Sequence, residues 1–198
     1  IDKSKIDEVS LPLEDKELSE FVTNSNRLVF GPSLSNDEEL LENLKTIPNS
    51  ATIKSKLLIR TKRAEYKSDN IFLYNRRLSS GDYSTLFSIA SAILLALPKD
   101  YFRTSGVLFD SFAFEKPCII PSNSPSLTYY SDTYPDVFFS YDNVQSLISI
   151  INTDCFIVNS YCFEGISEKY SERNLRRDFS DVIQRVNSNR VPDYSCSS

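Results

Sequence analysis

The sequence contains no histidine, no methionine and no tryptophan, and only four glycines among its 198 residues. It has four cysteines, and no two of them form a Cys-x-x-Cys pair. Without such pairs and without histidine, the usual ligand set of a zinc site is missing. We therefore interpret the cysteines as reduced thiols of a cytosolic protein, with pairing of Cys155 and Cys162 as the alternative.

Long apolar runs and concentrated positive charge are missing as well. The longest apolar run, around residues 92–98, is far shorter than the roughly 20 residues of a membrane-spanning helix. The net charge is -5 and no strongly basic block is present. This argues against nucleic acid as the main partner, because phosphate backbones select clustered Lys and Arg. With 40% hydrophobic and 25% charged residues, we expect a soluble globular protein.

Apolar segments of strand length alternate with helical patterns through the middle of the chain. Six strands are predicted, at residues 27–31, 56–60, 70–74, 90–98, 118–121 and 136–141. Helices are predicted to begin near Ser35, Gly81, Gly106 and Asn143. Residues 31–33 are predicted as a turn and residues 122–135 as a polar loop. Such alternation is typical of βαβ units, so we predict an α/β fold with a Rossmann-like parallel sheet and helices on both faces.

Composition divides the chain into three parts. Residues 1–26 are rich in charge and are predicted to be a lead-in or linker rather than a core element, although a short helix from about residue 15 to 23 fits their pattern. Residues 27–152 form the predicted Rossmann-like domain. Residues 153–198 form a predicted C-terminal helical extension, with a break at Gly165 followed by a long helix.

The strongest functional signal is the start of the helix that follows the fourth strand. Thr104 or Ser105 can cap this helix, and Gly106 would let a ligand approach the backbone closely. Free N–H groups and the helix dipole favour a phosphate at such a place, at the carboxyl edge of a parallel sheet. Asp110, one turn further on, suits a pair of sugar or ribose hydroxyls.

Basic residues near the same edge are candidates for neutralising a diphosphate. Arg60 and Lys62 come at the carboxyl end of the second strand. Arg103 precedes the helix and could bind a diphosphate through its planar guanidinium, or pair with Asp100. The alternative for Arg60 and Lys62 is an ordinary solvated basic cluster.

Residues 105–120 resemble the donor-binding motif of GT-B glycosyltransferases, especially the retaining family 4-like enzymes. Their motif has an acidic residue and then Gly-Lys-Pro-Val-Ile; here Asp110 stands seven positions before Pro117 and the run ends in Lys116-Pro117-Cys118-Ile119-Ile120. Residues 136–147 are similar to the strand and helix that follow the motif in that family. The resemblance covers residues 27–152 and implies the C-terminal, donor-binding half of a GT-B enzyme.

The resemblance implies that a nucleotide-diphosphate sugar is bound as substrate, without a cofactor or metal. Asp110 would contact the ribose, and the Ser105 and Gly106 amides would contact the diphosphate or the donor sugar. The segment from Tyr74 to Tyr83, which contains Leu78, would lie near the base. Together with Arg60, Lys62 and Arg103, these are the predicted donor-binding residues, and the catalytic residues stay unassigned.

The expected reaction is transfer of a hexose to a glycan or lipid-linked acceptor in polysaccharide or glycoconjugate biosynthesis, with retention. An N-terminal GT-B half, or a partner chain, would supply the acceptor site. We expect a cytoplasmic location, with peripheral contact at the inner face of the membrane as a further option. The alternative is a non-catalytic Rossmann-like binding module or partner subunit, which two departures favour: Pro32 and Ser33 replace the family's cationic signature, and Glu115 replaces a glycine.

Overall fold

The computed structural model describes residues 13–23, 27–35, 37–47, 53–97, 105–153, 156 and 161–170. The strands in these ranges are β1 (Leu28–Ser35), β2 (Lys56–Thr61), β3 (Tyr66–Lys67), β4 (Ile71–Tyr74), β5 (Ala92–Leu94), β6 (Cys118–Pro121) and β7 (Phe138–Tyr141). The helices are α1 (Lys16–Thr23), α2 (Glu38–Lys45), α3 (Ser80–Ile89), α4 (Gly106–Ala113), α5 (Pro125–Thr133), α6 (Val144–Asn152) and α7 (Tyr161–Lys169).

The strands form one sheet in the order β3-β4-β2-β1-β5-β6-β7. Every neighbouring pair is parallel except β3 and β4. Without the short β3, the order is that of the Rossmann fold, with the direction of strand succession reversing between β1 and β5. The predicted α/β class and parallel sheet are therefore confirmed.

Helices cover both faces of the sheet. One apolar cluster contains side chains of α1, α3, α4, α5 and α7, and a second contains side chains of α2 and α6. The strands alternate between them: Phe30 lies in the first cluster and Val29 in the second, and both are fully buried. This explains why the strands read as continuous apolar runs, since neither of their faces meets water.

Helix α1 is part of the core, so the prediction of a lead-in for residues 1–26 is wrong where α1 is concerned. Leu18, Phe21 and Val22 are all buried, and the Phe21 ring packs edge-on against Phe72 of β4 with centroids 5.5 Å apart. The three apolar side chains recur at helical spacing and form one buried face of α1, while the charged residues occupy its outer face.

Three other local predictions are wrong. The stretch predicted as a turn after Gly31 continues as β1, which keeps its pairing with β2 through a register shift. Residues 122–135 contain α5, which begins at Pro125 and buries Leu127 and Tyr130. Gly165 lies inside α7 instead of breaking it. Residues 171–198, which include most of the predicted long helix, lie outside the described residues.

The end of α4 explains why a glycine suits this place in the resembling motif. Glu115 has φ 52°, in the left-handed region. Its N–H donates to the Phe112 carbonyl at 3.1 Å, and the Lys116 N–H donates to the Ser111 carbonyl at 2.8 Å. These two bonds form a Schellman motif, whose left-handed residue is usually glycine.

We expect Glu115→Gly to raise the free energy of unfolding by about 1 kcal/mol, because glycine adopts this conformation without steric cost. Glu42→Gly, at an exposed position inside α2, is the matched control and should lower it by about 1 kcal/mol. Urea denaturation followed by circular dichroism measures both. Destabilisation by Glu115→Gly would contradict the strained conformation.

Candidate functional site

A cavity of about 270 Å³ lies at the carboxyl edge of the sheet, under the start of α3. Its floor comes from adjacent strands: Pro32 of β1, Arg60 of β2 and Tyr74 of β4. Arg60 and Tyr74 are paired residues of the parallel β2–β4 ladder, so their side chains point to the same face of the sheet. The rest of the lining comes from the segment leading into α3: Arg77, Leu78, Ser79, Ser80 and Tyr83.

Two of the residues that line the cavity have buried polar atoms without partners among the described residues. Tyr74 is fully buried, and neither its hydroxyl oxygen nor Nε of Arg60 has a hydrogen-bond partner there. Burial raises the pKa of Tyr74 above its usual range, although Arg60 and Arg76 act in the opposite direction. The hydroxyl therefore stays protonated and is available as a donor.

Tyr83 connects this cavity to α4. Its hydroxyl donates a hydrogen bond to Oδ2 of Asp110 at 2.6 Å. Burial and this bond raise the pKa of Tyr83 above its usual range, so the phenol remains the donor. Among the described residues Oδ1 of Asp110 has no partner, which leaves that oxygen available as an acceptor.

The start of α4 differs from the prediction in one respect. Ser105 is the N-cap residue and is buried, but its side chain makes no capping hydrogen bond. Thr104, the other candidate cap, lies outside the described residues. Gly106 is exposed, and no described atom lies within 4 Å of where a β-carbon would be. No described residue therefore obstructs the approach of a ligand to Gly106.

The structure brings four of the predicted site residues together, while Ser105 and Gly106 at the start of α4 do not line the same cavity. Arg60, Leu78 and Tyr83 line one cavity, and Asp110 joins them through the Tyr83 hydroxyl. Lys62 is exposed beyond the end of β2 and is not part of the cavity lining. Arg103 lies outside the described residues.

Tyr74 and Arg77 lie in the segment that the sequence predicted near the base, but neither was selected as a donor-binding residue. Tyr74 ends an apolar strand, and in the sequence it looks like one more core aromatic. A usable signal was its position two residues after Phe72, which puts it on the same face as Phe72 and at the strand's carboxyl end.

A charge network holds the segment that forms the cavity's outer wall. Arg76 Nε contacts Oδ2 of Asp15 at 2.5 Å, and its terminal nitrogens lie 2.9 Å from a carboxylate oxygen of Glu17 and of Glu65. Asp82 supports the same segment, because its Oδ1 accepts the Glu14 N–H at 2.8 Å. The residues at and before α1 therefore fix the position of the loop between β4 and α3.

The Arg76 network lowers the pKa of two carboxyls. For Asp15, burial alone would raise the pKa, but hydrogen bonds from Arg76 and from the Leu18 N–H outweigh it, so the value falls below 3.8. For Glu17, the hydrogen bond from Arg76 is the main cause, and the pKa falls below 4.5. Both carboxylates are thus ionised at neutral pH.

Within the part of the chain that the structure describes, no group of three His, Cys, Asp or Glu side chains is arranged to hold a metal ion. No helix in that part has the length and apolar character needed to cross a bilayer. No protein-family model and no curated protein matches the sequence. The chain has a Rossmann-like α/β fold.

Proposed function

We propose that this chain is the nucleotide-sugar-binding domain of a GT-B glycosyltransferase. One observation carries the proposal. Residues from three separate stretches of sequence meet at the carboxyl edge of the sheet: Arg60, the segment of Leu78 and Tyr83, and Asp110. In open α/β sheets this edge, close to where the strand order reverses, is where ligands bind.

Each residue has a defined chemical task in the proposal. Asp110 accepts hydrogen bonds from ribose hydroxyls through the oxygen that Tyr83 does not occupy. The exposed backbone at Gly106 approaches the diphosphate or the sugar. Arg60 neutralises phosphate charge, while Leu78 and Tyr83 contact the rest of the donor. The phosphates are held by arginine, amides and the helix dipole, with no step that needs a metal.

The remaining parts of the proposal come from the resemblance to the family. The reaction is hexose transfer, with retention, to a glycan or lipid-linked acceptor. The acceptor site and the catalytic groups lie on an N-terminal half or a partner chain. A cytoplasmic location, with contact at the inner face of the membrane, belongs to the same proposal.

Isothermal titration with UDP, GDP and their hexose derivatives tests the proposal. We expect one of these nucleotides to bind at millimolar or lower concentration, with heat released by the phosphate and ribose contacts. Circular dichroism verifies that the protein is folded under the same conditions. Absence of binding by every nucleotide to the folded protein would exclude the function.

Asp110→Ala is expected to weaken nucleotide binding by about 1–3 kcal/mol, because two hydroxyl hydrogen bonds to a carboxylate are lost. The free energy of unfolding should fall by no more than about 1 kcal/mol, the value of the single Tyr83 bond. Asp132→Ala, which removes an exposed carboxylate of α5, is the control and should bind as wild type. Unchanged affinity of Asp110→Ala would remove Asp110 from the site.

One observation favours the alternative, a non-catalytic Rossmann-like binding module. Where the resembling family has a cationic loop after the first strand, β1 continues through Gly31, Pro32 and Ser33. This part of the edge therefore offers a donor sugar no cation of its own. Co-purification with an obligate partner chain, together with no nucleotide affinity, would select the alternative.

A further inference from the structure

We propose that the cavity between Arg60, Tyr74 and the start of α3 binds an oxyanion, a phosphate group. Of the diphosphate and the sugar named above, the charged part of the ligand then lies in this cavity, and the sugar is left to the backbone at Gly106. The proposal rests on the donor-binding function only for the identity of the ligand that carries the phosphate. The oxyanion site itself follows from the residues that line the cavity.

The lining residues provide hydrogen-bond donors and positive charge. Arg60 and Arg77 both line the cavity, and neither makes an ion pair with a described residue. No acidic side chain is among the described residues of the lining. Arg76, on the same loop, differs because three carboxylates bind it. Two uncompensated guanidinium groups at one cavity favour an anion over a neutral group.

The positive end of α3 faces the same space. This helix has ten residues, and its N-cap residue Ser79 and first residue Ser80 both line the cavity. The side chain of Ser79 accepts the Asp82 N–H at 3.1 Å. The unsatisfied N–H groups of a first helical turn attract oxyanions.

Tyr74 is the independent observation that indicates a ligand. Its side chain is fully buried, its hydroxyl has no described partner, and it lines the cavity. Phenylalanine would fill the same core position on the aromatic neighbour Phe72, whose ring centroid is 6.5 Å away, without leaving a donor unpaired. A buried unpaired hydroxyl lowers stability, so its presence is explained if a ligand accepts a hydrogen bond from it.

By contrast, the described residues at the start of α4 lack these features. Among the described residues around Gly106, the nearest charged side chain of the same helix is the carboxylate of Asp110. A carboxylate repels a phosphate and suits hydroxyls. Among the described residues the two ends of the candidate site therefore differ in charge, with arginines at the β2 and β4 end and a carboxylate at the α4 end.

Pyrophosphate titration of the whole chain tests the site, with amide chemical shifts and heat as the readouts. Arg60→Gln and Tyr74→Phe should weaken pyrophosphate binding by about ten- to a hundredfold and about fivefold, respectively. Tyr74→Phe should keep or raise the melting temperature, because it removes an unpaired buried hydroxyl. Loss of pyrophosphate affinity without loss of stability is the signature of a ligand-binding role.

Two matched variants serve as controls. Arg63→Gln removes the same charge three residues further on, where Arg63 pairs with Glu38 of α2. Tyr141→Phe removes another buried hydroxyl without a described partner, one that belongs to the second apolar cluster on the opposite face. Both should bind pyrophosphate as wild type.

The outcomes separate this inference from the proposed function. Pyrophosphate binding that depends on Arg60 and Tyr74 supports the oxyanion site, and if UDP and GDP then fail to bind, only the donor-binding function is lost. No pyrophosphate binding to the folded protein, or binding that neither substitution weakens, would overturn the inference, even if nucleotides bind.

Discussion

Replacing Phe87 with alanine is expected to lower the free energy of unfolding by about 3–5 kcal/mol, the range for deleting a buried aromatic ring. Phe87 is fully buried, and its ring centroid lies 5.6 Å from Phe30, 4.9 Å from Tyr83 and 5.1 Å from Phe114. One side chain thus joins α3 to β1 and to the end of α4. The cavity left by alanine would be surrounded by other rings that cannot close it without moving helices.

Urea denaturation at neutral pH measures the effect, and Phe87→Leu, which keeps most of the volume, should cost about 1.5 kcal/mol or less. Phe109→Ala is the matched control on α4, because that ring is 38% exposed and its loss should cost below about 1 kcal/mol. Equal costs for Phe87→Ala and Phe109→Ala would show that the aromatic junction around Phe87 is not part of the stable core.

Arg76→Ala is expected to lower the free energy of unfolding by about 2–3 kcal/mol at neutral pH. The loss is smaller than for a fully buried ion pair because the network is partly exposed. The substitution removes the contacts to Asp15, Glu17 and Glu65 and leaves three neighbouring carboxylates that repel one another. It also removes the guanidinium that lies 5.5 Å from the Phe72 ring centroid.

The cost should depend on pH. Since folding lowers the pKa of Asp15 and Glu17 below their ordinary 3.8 and 4.5, the unfolded chain binds more protons, and the network's contribution rises with pH. The difference between wild type and Arg76→Ala should be complete above about pH 5.5 and shrink as the pH falls through the folded-state pKa values. Urea midpoints from pH 3 to pH 7 measure it, with Arg63→Ala as the control for an exposed pair. A difference that does not change with pH would contradict the coupling.

The sheet could be predicted because its strands are buried on both sides. Runs such as residues 56–60 and 118–121 have the length and apolar character of covered parallel strands, and the structure contains β2 and β6 there. The order of the strands is a different matter, since the pairing of β1 with β5 depends on contacts between segments about 60 residues apart. Local periodicity carries no information about such pairing.

Prediction failed where an element has few buried apolar side chains, or where glycine and proline indicated a turn that is not formed. Helix α5 begins with Pro125 and buries few side chains, so its polar sequence looks like a loop although proline suits the first helical turn. Strand β3 has only two residues. The turn predicted at Gly31 and Pro32 fails because pairing with β2 continues past them at Ser35.

The candidate site was predictable where charge or a motif drew attention to it. Arg60 comes at the carboxyl end of a strand, and Asp110 belongs to the motif-like run, so both could be selected from sequence. The bond between Tyr83 and Asp110 could not, because it joins two helices whose approach depends on how both pack in the first apolar cluster. Tyr74 was hidden by its resemblance to an ordinary core residue.

The packing of α1 on Phe72 determines where the chain can be shortened. A fragment that starts at residue 27 would match the sheet's first strand, yet it would uncover Leu58, Phe72 and the other side chains of their cluster. It would also release Arg76 from two of its three partners. Such a fragment would expose apolar surface beside the cavity at the carboxyl edge of the sheet, and it would self-associate. A fragment that starts ahead of Leu13 keeps this face covered.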